Sequence, residues 1–69
     1  MDPLAVELQT ELARVGCYDG AIDGLWGPAS RRAMTNFNHW AGKAGAVTTP
    51  TPKALVTVVR TPAPVCGVD

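Results

Sequence analysis

The sequence is poor in the residue types on which most binding and catalytic classes depend. Its 69 residues include one histidine, two cysteines and four aromatic rings, and no apolar run exceeds three residues. Six Lys and Arg balance six Asp and Glu, so the formal net charge is zero. That balance argues against nucleic acid as a partner and against a polybasic membrane anchor, because both need basic surface. Without a long apolar run we expect no membrane insertion.

The chain is small, at 7.2 kDa, with 46% apolar and 17% charged residues, which is typical of a globular domain. We expect residues 1–69 to form a single, monomeric domain. A chain of this length buries only about 60% of its unfolded surface, which leaves no room for a deep active-site cleft. It begins directly at a helix-start pattern, so we expect a piece of a longer protein whose export signal lies outside this sequence.

Cys17 and Cys66 lie 49 positions apart. Together with His39 they supply three strong zinc ligands where a site needs about four, so we expect no metal and no cofactor. The remaining alternatives are a disulfide or two free thiols. A small core favours the disulfide, which would contribute about 4 kcal/mol by loop entropy and indicate an oxidising compartment.

Three helices are predicted, at about residues 3–15, 28–41 and 52–60, followed by an extended tail over 61–69. Each predicted helix has proline at its first position, and the starts and stops are marked by Asp2, Gly16, Gly27, Gly42 and Thr51. The β-branched run over residues 56–59 is also compatible with a strand, but its length and cap favour a helix.

Apolar residues at helical spacing mark the faces that we expect to be buried. In the first helix they are Leu4, Leu8, Leu12 and Val15. In the second they are Ala29, Ala33, Phe37, Trp40 and Ala41, with Arg31, Arg32, Thr35, Asn38 and His39 on the solvent side. In the third they are Ala54, Leu55, Val58 and Val59.

The segment over residues 17–27 is predicted to be a loop, because three glycines in eleven residues favour tight turns. Ile22, Leu25 and Trp26 are too apolar for a free loop, and we expect them to fold back onto the core. The fold class is therefore all-α: a small three-helix bundle with a long, ordered, glycine-rich loop between the first two helices.

The loop and its flanks resemble the peptidoglycan-binding domain-like family. Residues 16–30 read GCYDGAIDGLWGPAS, which is similar to the family pattern G-x-Y-x-G-x-I-D-G-x-[FW]-G-x-x-[TS]. The resemblance covers about residues 4–60. It includes Leu8 and Gln9 at the opening, Ala33 and Phe37 in the second helix, and Thr51 and Leu55 in the third, whereas Asn38 stands where glutamine is usual.

The resemblance implies a non-catalytic module that binds peptidoglycan, through its glycan or its stem peptide, and tethers a host envelope protein or hydrolase to the wall. It implies a bacterial periplasm or cell envelope. Cys17 and Cys66 are similar to those of a cysteine-containing subset. The alternative is a protein-interaction or packing module that docks on host-protein domains and has no wall affinity.

Six residues are candidates for the binding site. Tyr18 lies on the loop with a polar tip, and Asp19, Arg31 and Arg32 are placed to converge with it, since guanidinium forks suit carboxylates. The two arginines are also consistent with an ordinary solvent-exposed helix surface, and this interpretation is favoured. For Asp23 the favoured interpretation is a turn residue whose carboxylate accepts backbone N–H groups. For Trp26 it is a core residue, with an exposed edge that can join a groove.

The spacing and setting of the candidate catalytic residues argue against an active site. Ser30 and His39 lie more than two helical turns apart, so a triad with Asp23 is not expected. Asp19 and Asp23 lack the cleft that a glycosidase acid needs, and they lack the alternating ligands of a calcium loop. A DNA-binding three-helix reading is weak as well, because helix-turn-helix connectors take about three or four residues.

Overall fold

The computed structural model describes residues 2–42 and 46–66. Three helices, α1 (Pro3–Arg14), α2 (Pro28–Trp40) and α3 (Pro52–Val59), are the regular elements of these residues, and no strand occurs among them. The predicted all-α, three-helix fold is confirmed, including a helix rather than a strand over residues 56–59. Each helix ends one residue before its predicted end, because Val15, Ala41 and Arg60 are the C-caps.

The helix boundaries follow from local chemistry. The Asp2 carboxylate accepts the Leu4 N–H at 3.0 Å, and the Thr51 hydroxyl accepts the Ala54 N–H at 3.1 Å. Each helix has proline in its first turn, where the missing N–H costs nothing. Gly16 and Gly42 take φ values of +81° and +75°, which stop α1 and α2 in the left-handed conformation that glycine adopts easily.

The core forms around α1, which packs against both α2 and α3, whereas α2 and α3 make no close backbone approach to each other. Its fully buried apolar side chains come from all three helices and from the end of α1. They are Leu8, Leu12, Val15, Phe37 and Val58, with Ala5, Ala33, Met34 and Ala54 nearly so. The predicted α1 face is confirmed at Leu8, Leu12 and Val15.

The buried face of α2 differs from the prediction by a rotation about the helix axis. Trp40 is 52% exposed and Ala29 is exposed, whereas Ser30 and Asn38 are buried. Hydrogen bonds explain the difference, because the Asn38 amide donates to the carbonyls of residues 46 and 47 at 3.3 and 3.2 Å. A buried amide with partners is tolerated, so the polar side faces inward and the tryptophan faces outward.

Two loop residues and one α3 residue that were expected in the core are exposed as well. Leu25 is 69% exposed and Ile22 is 45% exposed, and Val59 on α3 is exposed as well. The Leu25 N–H and carbonyl bond to side chains that hold the loop onto α1, and this leaves its own side chain in solvent. The loop is therefore attached by polar contacts rather than by burial of Ile22 and Leu25.

The tail over residues 61–66 has neither helix nor strand and is fastened to the end of α1. The Val65 and Cys66 N–H groups both donate to the Val15 carbonyl, at 2.8 and 3.2 Å. The sulfur atoms of Cys17 and Cys66 lie at disulfide distance, with their Cα atoms 4.8 Å apart. Residues 67–69 of the predicted tail lie outside the described residues.

Arg14 joins the last turn of α1 to the end of α3. Its guanidinium donates to the carbonyl of Val58 in the last turn of α3 at 3.0 Å and to that of Thr61 just beyond the helix at 2.9 Å, where positive charge is favourable. Among the helices described, none is both long enough and apolar enough to cross a bilayer.

Candidate functional site

Gln9 is the polar centre that fixes the loop. Its side chain is fully buried, and its amide nitrogen donates to the Leu25 carbonyl and the Ser30 hydroxyl, both at 3.0 Å. Its amide oxygen accepts the Gly24 N–H at 2.9 Å. One side chain of α1 thus bonds the loop and the first turn of α2, and no buried side-chain polar atom in the described residues lacks a partner.

Asp23 completes this network from the solvent side. Its carboxylate accepts the Leu25 N–H at 2.9 Å and the Gln9 amide at 3.3 Å. The predicted role as a turn residue is confirmed. The pKa of the Asp23 carboxyl is held below its usual value of 3.8, mainly because the carboxylate accepts the Leu25 N–H. Desolvation opposes this lowering of the pKa, and the hydrogen bond from Gln9 adds to it.

The lowered pKa of Asp23 predicts a specific acid response. A carboxylate with a lower pKa in the folded state stabilises the fold above its unfolded pKa, and that contribution is lost as pH falls through the folded pKa. Asp23→Asn should therefore flatten the fall of Tm on the acid side, between about pH 5 and pH 2. Asp19→Asn is the control, because Asp19 is exposed and accepts no hydrogen bond in the described part of the chain. Equal acid profiles for the two variants would contradict the prediction.

Tyr18, the first candidate for the binding site, does not present its ring to solvent, so the structure gives no support to a binding role for the ring. It is 9% exposed and belongs to the hydrophobic core, and its hydroxyl donates to the Ala21 carbonyl at 2.5 Å. The polar tip is thus used inside the loop. The physical reason is the small core, which gains more from burying one of its few large rings than from exposing it.

The close approach of Gly20 to Tyr18 gives a second prediction. A Cβ at Gly20 would lie 2.8–3.0 Å from the hydroxyl and ring atoms of Tyr18, a ring held by the core and by its own hydrogen bond. Gly20→Ala should lower the free energy of unfolding by about 1–3 kcal/mol, the usual cost of overpacking. Urea unfolding measures the change. Gly27→Ser is the control, because its Cβ meets no atom within 4 Å and serine is a favourable N-cap; equal loss in both would refute the steric argument.

Trp26 is partly buried against the core, as its first interpretation predicted, and it also fixes the connector before α3. Its indole N–H donates to the Thr48 carbonyl at 2.7 Å. Together with the Asn38 amide, which bonds residues 46 and 47, this contact holds the segment over residues 46–48 beside α2.

The remaining predicted site residues lie on the surface. Asp19, Arg31 and Arg32 are exposed, and no ion pair joins them to one another or to any other charged group in the described ranges. They share the loop and the first turns of α2 with the exposed side chains of Ile22 and Leu25. We call this set the loop surface: Asp19, Ile22, Leu25, Arg31 and Arg32.

The structure also separates the residues considered for catalysis. Ser30 is buried and bonded to Gln9, whereas His39 is exposed and contacts the Trp40 ring edge to face at 5.7 Å. Within residues 2–42 and 46–66, no three acidic, histidine or cysteine side chains are grouped as metal ligands would be.

A second surface feature was not anticipated from the sequence. A shallow groove of about 210 Å³ runs between α1 and α3 and is lined by Val6, Glu7, Thr10, Glu11, Leu55 and Val59. The amphipathic pattern of α3 assigned Val59 to the core, so the pattern gave no signal for an open groove.

Comparison with known proteins finds no matching family model, no matching curated protein and no matching solved structure.

Proposed function

We propose that this domain is a non-catalytic peptidoglycan-binding module that tethers a host protein to the bacterial wall. The observation that carries the proposal is the ordered loop. Gln9, Asp23 and Tyr18 hold the loop by hydrogen bonds, and the loop presents the side chains of Ile22 and Leu25 to solvent. The first turns of α2, which follow the loop, present two exposed arginines that have no ion-pair partner among the described residues. The resemblance of the loop sequence to wall-binding domains supports the same function.

The loop surface has the chemistry that a wall polymer requires. Arg31 and Arg32 are exposed, and planar guanidinium forks suit the lactyl and peptide carboxylates of peptidoglycan. Leu25 and Ile22, on the loop that precedes α2, offer exposed apolar area. A flat surface on a small domain gives weak affinity, and tethering tolerates this because the host gains effective concentration at the wall.

The proposed location is the periplasm or the outer cell envelope. The Cys17–Cys66 pair at disulfide distance is compatible with an oxidising extracellular compartment. A staple of this kind is typical of small secreted domains whose cores are limited.

Co-sedimentation with purified insoluble peptidoglycan tests the proposal. The oxidised domain should pellet, and the double variant Leu25→Ser, Arg31→Ala should remain largely in the supernatant. A double variant on α3, Lys53→Ala with Val56→Ser, is the matched control, since both positions are exposed and distant in sequence from the loop. Failure of the unchanged domain to pellet would overturn the proposal, and equal pelleting of all three would refute the loop surface as the site.

A protein-interaction module is the second candidate, and the exposed apolar side chains favour it. They are Ile22, Leu25, Trp40, Val47, Val56 and Val59. Exposed apolar area on a small domain often marks a contact with another protein. Absence of wall binding together with stable association to a host domain would support this candidate.

A further inference from the structure

The groove between α1 and α3 combines an apolar base with acidic residues along one side. Val6 on α1 and Leu55 and Val59 on α3 supply the apolar part, and Thr10 adds methyl surface because its hydroxyl donates to the Val6 carbonyl. Glu7 and Glu11 lie on the α1 side. Short apolar groups and a positive charge are therefore the chemistry that fits.

The carboxylates of Glu7 and Glu11 differ in whether they form an ion pair. Glu11 is paired with Arg14 at 2.6 Å, and the same guanidinium is committed to carbonyls at the end of α3. Glu7 is exposed and has no ion-pair partner in the described part of the chain. A cation that enters the groove would thus meet one carboxylate with no competing side chain.

The size of the groove limits how much of an occupant it can hold. At about 210 Å³ it is smaller than the roughly 300–1,000 Å³ of sites that enclose drug-sized ligands, so it can hold a few side chains of an extended segment rather than a whole molecule. Among the described residues, no aromatic ring, side-chain amide or guanidinium lines the groove, so this lining lacks the stacking faces and planar polar groups that hold saccharides. A short segment with small side chains and an amine fits best.

We propose that the groove binds the stem peptide of peptidoglycan, with the free side-chain amine of its diamino acid beside Glu7 and its alanyl methyl groups against Leu55 and Val59. This inference rests on the proposed function and names the part of the polymer that a second surface of the domain contacts. The carboxylates of the stem peptide point away from α1, where Glu7 and Glu11 would repel them.

The direct test is an NMR titration of the oxidised 69-residue domain with a soluble stem pentapeptide that contains lysine. Amide shifts should change along α1 near Glu7 and along α3 near Val59. The same peptide with an acetylated lysine amine should bind about threefold more weakly, because an exposed ion pair adds only modestly to affinity. Chitotetraose, the glycan probe, should leave the groove amides unchanged.

Matched variants locate the contact. Glu7→Gln and Val59→Ser should each weaken the pentapeptide by about threefold. Val56→Ser removes an equivalent exposed apolar group of α3 that lies outside both the groove lining and the loop surface, and it should leave the affinity unchanged. Equal affinity for all three variants, or shifts confined to residues outside the groove, would overturn the inference.

Two further results separate this inference from the proposed function. If the domain pellets with native wall and equally with wall whose amines have been acetylated, and the pentapeptide leaves the groove unchanged, wall binding stands and the groove assignment falls. If an unrelated lysine-containing peptide binds the groove as tightly as the stem peptide, the occupant is a basic protein segment and the inference is overturned. If the domain pellets and acetylation weakens pelleting only when Glu7 is present, both are supported.

Discussion

Gln9→Leu should lower the free energy of unfolding by about 3 kcal/mol, the largest expected effect of a single polar substitution in this domain. The replacement keeps the volume but removes every bond that the amide makes. The Gly24 N–H and the Leu25 carbonyl lose their Gln9 partner, and the Ser30 hydroxyl loses its donor. The buried Gly24 N–H is left without its acceptor, which costs about 1–3 kcal/mol. The Leu25 carbonyl keeps the bond from the Gly27 N–H, but the lost bonds to this carbonyl and to the Ser30 hydroxyl add about 0.5–1.5 kcal/mol each, so the sum reaches this range.

Urea unfolding followed by far-UV circular dichroism measures the change. Thr10→Ala is the matched control on the same helix, because the Thr10 hydroxyl is exposed and bonds only within α1. We expect that variant to stay within about 0.5 kcal/mol of the parent domain. A Gln9→Leu variant as stable as the Thr10→Ala variant would show that water satisfies the freed groups and that Gln9 does not hold the loop.

Removal of the Cys17–Cys66 link is expected to have a still larger effect. A bridge that closes a loop of 49 residues contributes about 4 kcal/mol by the entropy of the unfolded chain. Domains of this size have a total free energy of unfolding of roughly 3–10 kcal/mol. The Cys17→Ala, Cys66→Ala double variant should therefore be close to unfolded at 37 °C.

Reductant supplies the internal control for this prediction. The parent domain should lose stability when a strong thiol reductant is added, and the double variant should not respond. Alkylation followed by mass measurement provides the independent readout, because the bridged thiols are labelled only after reduction. Equal labelling with and without reductant would refute the bridge and remove the structural support for an oxidising compartment.

The helix positions were predictable because their signals are local. Pro3, Pro28 and Pro52 start the helices, and Gly16 and Gly42 stop the first two, each acting through its own backbone. The predicted link between Cys17 and Cys66 also agrees with the structure, because a chain with two cysteines offers a single pairing.

The burial of particular side chains was harder to predict, because it depends on distant partners. Gln9 finds its bonds 14 to 21 positions away, so nothing near it in the sequence marks it as the centre of the loop. Asn38 is turned inward by carbonyls of a connector that has little pattern, and Trp40 is turned outward by the same rotation. Hydrophobic periodicity identifies buried positions by their apolar residues, so it does not identify a polar residue that is buried because it forms hydrogen bonds in the folded state.

The candidate site shows the same division. The role of Asp23 in the turn follows from its neighbours Gly24 and Leu25, and it was predicted correctly. The burial of Tyr18 was not, because its hydroxyl partner is a loop carbonyl and no rule of spacing indicates it. The groove beside Glu7 depends on how α3 is seated on α1, which is a property of packing alone.

The position of α3, which packs on α1 and not on α2, determines which contacts a local opening of this helix would break. A local opening of α3 would expose Ala54 and Val58 and break the bonds from Arg14, but it would leave the packing between α1 and α2 in place. Both of its flanks remain fastened, one by the Trp26 bond to Thr48 and the other by Cys66. A segment that is held at both ends gains little conformational entropy when it opens, because the released chain forms a short closed loop. We therefore expect the open state of α3 to be less populated than that of a helix with a free end, and an opening to change the groove while the loop surface stays in place.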